Sequence, residues 1–417
     1  MSATSAQTAI NERLVLYTLA AVQFTHIMDF MIMMPLGPQF MRAFGISPTQ
    51  FGYLVAIYSI SAGAMGFAAG FVMDKFDRKR ALLFFYSGFV LGTLCCALSQ
   101  NYTMLLVARA VAGGFGGVSA SVILAIVGDV VPFERRGQAM GVIMTAFSVA
   151  SILGVPVGLQ VAQWSDWHSP FLVLVGLGIA IIVAVRIVLP PLAPHGHGSA
   201  HDAWDQMKTI VTRSNHLRAF ALIATLTAAG ALIYPYLAPS MVSNAAMPEK
   251  YLSFIYICGG AATLVSSPYF GRLADRIGKL KVFNTLILLS LIPTIAIANL
   301  VPTPLWVILL ITTSYMVFTS GRYVPAMALI TASVEPRYRG GFMSVNSAIQ
   351  QLAAGGATVL AATLVSADAS GRIVGFAWAG WIALALVLAS VAIIRHLRVV
   401  ASSAGAPAIE PVAESVG

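Results

Sequence analysis

Gly271-Arg-Leu-Ala-Asp275-Arg276-Ile-Gly278-Lys279-Leu-Lys281 is a short charged stretch between two long apolar runs. A sister stretch, Gly70-Phe-Val-Met-Asp74-Lys75-Phe-Asp77-Arg78-Lys79-Arg80, stands 201 residues earlier. A second pair of anchors, Glu134-Arg-Arg-Gly137 and Pro336-Arg-Tyr-Arg-Gly340, repeats at an offset of 203. Two anchors at nearly one offset mean that the chain contains a duplicated unit.

The surroundings of these stretches set the class. Of 417 residues, 58% are apolar and only 9% are charged. A soluble domain carries roughly 25% charged residues. The shortfall leaves too little polar surface to cover a water-soluble globule, and disordered chains are richer in charge and poorer in apolar residues. The chain reads as an integral membrane protein. Its net charge of +9 comes from basic residues in short loops between apolar runs. That placement holds loops on the inner side of a membrane and does not indicate nucleic acid. Cys95, Cys96 and Cys258 all lie in apolar runs without metal-ligand spacing, which makes them packing residues. The polar start, Met1 to Glu12, has no basic region leading into a short apolar core. No cleaved signal peptide is expected, and the first apolar run stays in the membrane.

A spanning helix needs about 20 mostly apolar residues. By that measure the chain has spans at 14–40, 48–72, 81–99, 103–128, 137–162 and 170–190, then 217–241, 251–270, 282–300, 304–331, 341–365 and 373–394. With twelve spans and both ends cytoplasmic, the inner segments hold 19 Lys and Arg. The outer loops hold three, Arg42, Lys250 and Arg372. The bias fits even parity with both ends inside. The fold class is therefore all-α, with twelve transmembrane helices in two parallel-repeat six-helix bundles. Such repeats pack about an axis along the membrane normal with the substrate site between them. The expected organisation is a first bundle over 1–190, a cytoplasmic linker over 191–216, a second bundle over 217–394 and a disordered tail over 395–417. The linker includes an amphipathic stretch, Ala203 to Arg213, suited to a short helix on the membrane face. His195, His197 and His201 lie in its Gly- and Ser-containing part, which fixes no ligand geometry, so no metal is expected.

The two charged loops resemble the signature loop of the major facilitator superfamily: Gly, three residues, Asp, a basic residue, any residue, Gly, then basic residues. Gly271, Asp275, Arg276, Gly278 and Lys279 fit throughout. The first copy fits at Gly70, Asp74, Lys75, Arg78 and Lys79 but carries Asp77 where Gly is usual. Arg109-Ala-Val-Ala-Gly113 in the fourth span and Gly154-Val155-Pro156-Val157-Gly158 in the fifth look like elements of the drug:proton antiporter branch, although Val155 separates the usual Gly-Pro pair. Permeases of the arabinose-efflux type are equally similar. The resemblance implies a conformational latch made by Gly70, Asp74, Arg78, Asp129, Gly271, Asp275, Arg276 and Gly278. In it Arg78 pairs with Asp129, and Asp74 faces the N-terminal end of the eleventh span. The plain alternative is that the loops only mark the inner side.

Ionisable groups inside a membrane are costly and draw attention to function. Four lie within spans: His26, Asp29, Arg109 and Arg322. At a rise of about 1.5 Å per residue, Asp29 and Arg109 are both roughly 10 Å from the outer end of their spans. The resemblance implies that the first, fourth, seventh and tenth spans line a central cavity, where this pair would meet. His26 shares a helix face with Asp29. One reading makes Asp29 the proton carrier, Arg109 the group that tunes it and His26 an accessory. The other is a static buried salt bridge. Arg322, Tyr234, Tyr236 and Gln350 are substrate-cavity candidates, with snorkelling, interfacial anchoring and helix–helix hydrogen bonding as their plain alternatives. Gly154, Pro156 and Gly158 permit either helix flexing or tight packing.

The expected function is proton-coupled secondary active transport by alternating access, exporting small amphipathic compounds. A proton-coupled sugar or organic-anion transporter and a lysolipid carrier of the same fold are the alternatives. The chain has no Gly-rich phosphate loop, His/Glu metal pair or Ser nucleophile elbow, so neither an enzyme nor a cofactor is expected. The expected partners are a small-molecule substrate, protons and the lipid bilayer, with no nucleic acid, for a monomer in a bacterial inner (plasma) membrane.

Overall fold

A computed structural model describes residues 11–69, 76–132, 135–192 and 200–400, without the side chains of 136, 137 and 200–205. The first half comprises α1 (Glu12–Ile32), α2 (Gly37–Phe44), α3 (Pro48–Ala69), α4 (Arg78–Ala97), α5 (Tyr102–Val130), α6 (Arg136–Val149), α7 (Val155–Trp164) and α8 (Ser169–Val188). A connecting helix, α9 (Ala200–Thr212), follows. The second half comprises α10 (Ser214–Ala231), α11 (Tyr234–Ser243), α12 (Leu252–Ile277), α13 (Lys279–Ala298), α14 (Leu305–Ala332), α15 (Arg339–Leu364) and α16 (Phe376–Arg395). A two-residue hairpin, β1 (Ser366–Ala367) with β2 (Ile373–Val374), joins α15 to α16.

Among the described residues, eleven helical stretches are long and apolar enough to cross a membrane. The twelfth expected span is α15, which has 26 residues. Ser344, Asn346, Ser347, Gln350 and Gln351 make it too polar to meet the hydropathy measure. It is nevertheless the helix on which the halves join, because its largest packing partner is α3 of the first half. A polar helix is tolerated in a bilayer when its polar face meets protein.

Three expected spans are interrupted. The first breaks after Ile32, where Pro35 and Pro38 remove backbone donors, and resumes as α2. Gly45, at φ 60°, closes α2 in the left-handed conformation. The seventh breaks between Ala231 and Tyr234, with Pro235 in the first turn of α11. The fifth carries a π-helical turn, Ala150–Gly154, between α6 and α7. Pro156 cannot donate to the preceding turn, and the wider π turn absorbs the mismatch.

The start of α4 explains the departure at Asp77. Its carboxylate caps the helix by accepting from the Arg80 N–H at 2.8 Å. In the second copy Gly278, at φ 99°, separates α12 from α13.

Packing depends on small residues. A Cβ on Gly117 would lie 2.4 Å from the Ala62 carbonyl oxygen, so α5 presses directly on the α3 backbone. Across the halves, a Cβ on Gly355 would lie 2.5 Å from the Ile60 side chain. The halves also meet where the π turn and α7 pack on α12.

The two ends of the molecule differ. At the face opposite the chain termini, Arg42 pairs with Glu249, Thr49 donates to the Val365 carbonyl at 3.0 Å and Tyr236 donates to the Pro48 carbonyl at 3.1 Å. All three cross from one half to the other. At the terminus-bearing face, Arg213 binds Glu335, and Arg337 donates to the same carboxylate at 2.9 Å. Ile210 of α9 covers Gly341 at the start of α15. The expected amphipathic linker stretch is thus helical and docked on the second half. The tail was expected to be disordered from 395, yet the backbone carbonyls of His396 and Arg398 accept from Arg218 and Asn215, and Val400 N–H donates to Ala332. Residues 401–417 lie outside the described residues.

Gly117→Val should lower stability by about 1–3 kcal/mol through overpacking. Gly356→Val, where a Cβ meets nothing within 4 Å, should be close to neutral. Thermal unfolding in detergent micelles compares the two. The Arg213 and Arg337 hydrogen bonds hold the Glu335 carboxyl below its ordinary value of 4.5. A depressed folded value stabilises above the ordinary value and is lost as pH falls through the folded one. Glu335→Gln should therefore speed hydrogen exchange along Met207–Thr212 at pH 7. The difference from the wild type should vanish as pH drops through the depressed value.

Candidate functional site

The buried charges of the first half converge on three helices. Asp29 on α1 and Arg109 on α5 are both 0% exposed. Arg109 Nη1 donates to Asp29 Oδ2 at 2.6 Å and lies 3.4 Å from the Asp29 backbone carbonyl oxygen. Thr93 of α4 donates to the other carboxylate oxygen at 3.2 Å. The guanidinium lies over the Tyr58 ring of α3, 4.4 Å from its centroid. Gly113, one turn along from Arg109, makes this stacking possible. A Cβ there would stand 2.3 Å from the Tyr58 carbonyl oxygen, so only glycine lets α5 approach closely enough.

The carboxylate oxygens are thus satisfied, while Arg109 Nε and Nη2 meet no further oxygen or nitrogen acceptor and the Cys96 thiol lies beside the guanidinium. The pair is hydrogen-bonded, but Arg109 has spare donors aimed into a dry setting. Such an arrangement responds to anything that supplies or removes a charge. His26, one turn before Asp29, is 5% exposed. Its ring packs edge-on against Phe89 at 4.3 Å and Tyr86 at 5.6 Å, and neither nitrogen has a partner. Tyr86 instead shares a 3.0 Å hydrogen bond with Thr25.

The second half places Arg322 on α14 at 2% exposure. Its Nη1 donates to Ser290 of α13 at 3.1 Å, and its Nε has no partner. Tyr234 is half-buried and its ring tilts against Tyr315 at 5.4 Å. Tyr236 is fully buried between Phe51 and Phe376, with its hydroxyl committed to Pro48. It belongs to the contact between the halves. Gln350 is half-buried on α15. Its neighbour Gln351 lines a void of about 30 Å³ with Ser344, Ser347, Ser121 and Gly117, room for one water.

Of the latch residues, Arg78 and Asp129 form an ion pair at 3.3 Å. Gly70 and Asp74 lie outside the described residues. Gly271 sits beside Val324. Asp275, Arg276 and Gly278 are exposed, and among the described residues neither Asp275 nor Arg276 makes an ion pair. Gly154 and Gly158 both face Met28 of α1, where a Cβ on either would come within 2.7 Å of its side chain. Sequence reasoning missed Tyr58, Thr93 and Ser290. Each is an ordinary polar residue in an apolar span, and no local signal marks which will meet a charge.

The family model of the Major Facilitator Superfamily matches residues 19–234 and again 219–414, one half at a time. The chain belongs to the major facilitator superfamily. It is a multi-pass membrane transporter of a family that carries small molecules. Among curated relatives, the uncharacterized MFS-type transporter YbcL of Bacillus subtilis (strain 168) is 24% identical, over 81% of this chain and 85% of that protein. YceJ of the same organism, likewise an uncharacterized MFS-type transporter, is 23% identical over 79% and 83%. Among solved structures, a bacterial homolog of the human lysosomal transporter Spinster, inward-facing and unoccupied, superposes with a TM-score of 0.71. It shares 14% identity over 92% of this chain and 96% of that one. The human organic anion transporter MFSD10 gives 0.68 at 17% identity, over 92% and 99%. These structural likenesses establish the shared fold.

In this superfamily member, Asp29→Asn strands a buried guanidinium and Arg109→Gln strands a buried carboxylate. Each should cost about 3–5 kcal/mol. The double variant should lose clearly less than the sum of the two, as measured by unfolding in detergent.

Proposed function

We propose that this chain is a proton-coupled secondary active transporter that exports small amphipathic compounds by alternating access. The observation that carries the reading is the Asp29–Arg109 pair, fully buried and shared among α1, α4 and α5. Protonation of Asp29 removes one charge of the pair and weakens its hold on Arg109. A substrate that draws on the spare donors of Arg109 has the converse effect on Asp29. Two ligands that compete for one charged centre are thermodynamically linked, and that linkage is coupling.

The rest of the reading follows from placement. The halves divide at the linker, 191–216, and the monomer sits in the bacterial plasma membrane with both termini cytoplasmic, as the basic loops favour. The polar contacts of Arg42, Thr49 and Tyr236 then close the outer side. The Arg78–Asp129 pair acts in the latch of the first half. The π turn at Gly154 and Pro156, pressed between α1 and α12, is where the fifth span flexes as the halves rock.

Purified protein in liposomes tests the reading. With 1-naphthalenesulfonate as probe and an imposed pH gradient, flux should follow the gradient without ATP. Asp29→Asn should reduce it at least about tenfold, the loss expected when a transition-state charge contact is removed. Undiminished gradient-driven flux in that variant removes Asp29 as the proton site.

A further inference from the structure

Each half buries an arginine deep within a span, at different depths and with different partners. In the first half, Arg109 of the fourth span donates to Asp29 of the first, which also accepts from Thr93 of the third. In the second half, Arg322 of the tenth span meets Ser290 of the ninth. The seventh span, the counterpart of the first, brings no acid. Asp275, near the end of α12, is the one acidic residue in the spans of the second half. It is exposed, and among the described residues it makes no ion pair.

Arg322 is therefore a buried cation with one neutral hydrogen bond and no carboxylate. Its surroundings are neutral donors and aromatic rings. Tyr234, Tyr315 and Tyr323 share its electrostatic neighbourhood. The Tyr315 and Thr319 side chains, each 2% exposed, adjoin one another. Tyr323 reaches Thr227 of α10 at 3.2 Å, and Tyr323, Thr227 and Tyr234 are half-buried. The cluster is thus closed around Arg322 and accessible at one edge.

An unpaired buried guanidinium is costly unless an anion joins it, and its planar fork suits a two-oxygen anionic head. Hydroxyls beside it offer further donors. We propose that Arg322, held in place by Ser290 and flanked by Tyr315 and Thr319, forms an anion-binding site for the substrate's carboxylate or sulfonate. The substrate is then an organic monoanion whose aromatic or apolar body packs on Tyr234 and Tyr315. The missing carboxylate of the second half is supplied by the cargo. This assignment rests on the transporter reading for the identity of the ligand as cargo, but the site binds whether or not Asp29 carries the proton.

Thermal stabilisation of the purified full chain tests it, with 1-naphthoate and 1-naphthalenesulfonate against the uncharged 1-naphthamide. The acids should raise the unfolding midpoint of the wild type and the amide should not. Arg322→Gln should lose the response, Arg322→Lys should keep part of it, and Gly356→Val, where an added Cβ meets nothing within 4 Å, should keep it. Arg322→Lys also guards against a Gln variant that fails to fold, since both must elute as single species. Equal stabilisation by acid and amide, no response of the wild type, or a full response in Arg322→Gln each overturns the proposal. A proton-coupling failure shows instead as unchanged flux in Asp29→Asn, with the anion response of the wild type intact.

Discussion

Burying a charge in a dry protein interior within a bilayer is the constraint on which this structure turns. Asp29 and Arg109 meet it together, with Thr93 and Tyr58 completing their surroundings. Four helices are committed to that contact: α1 supplies the acid, α5 the base, α4 a hydroxyl and α3 a ring. The cost of separating the charges fixes how these helices sit, and Gly113 and Gly117 grant the close approach that the fixed arrangement needs. A static salt bridge and a proton site are built from the same atoms.

Duplication gave both halves one helical plan, and the charges then diverged. The first half is internally neutral at its centre. The second holds Arg322 with only Ser290 as a hydrogen-bond partner for its guanidinium. A transporter built this way has one site that is complete when empty and one that is incomplete. Such asymmetry leaves the two halves, alike in helical plan, electrostatically unlike at their buried arginines.

Movement between the halves needs contacts that can open. Arg42–Glu249, Thr49 and Tyr236 join the halves at one face through a few polar bonds. Along the middle, α3 and α15 meet through small residues, and the π turn meets α12. Smooth small-residue surfaces slide or tilt at lower cost than interdigitated ones. The α9 helix is tied to the second half through Arg213 and Glu335.

The membrane class, the twelve spans, the duplication and the level placement of Asp29 and Arg109 were all legible in the chain. They follow from hydropathy, loop charge and helix rise, which are local quantities. Asp77 as a cap was equally local, three residues from the N–H it accepts. The broken first and seventh spans were signalled by Pro35, Pro38 and Pro235, but the continuous apolar run hid them. Only the tertiary structure decided that Thr93 meets Asp29, that Tyr58 lies under Arg109, that Tyr236 seals an interface and that Arg322 has no acid within reach. Those facts depend on how helices distant in sequence rotate against one another. Rotation is set by side-chain packing between them, and hydropathy carries no record of it.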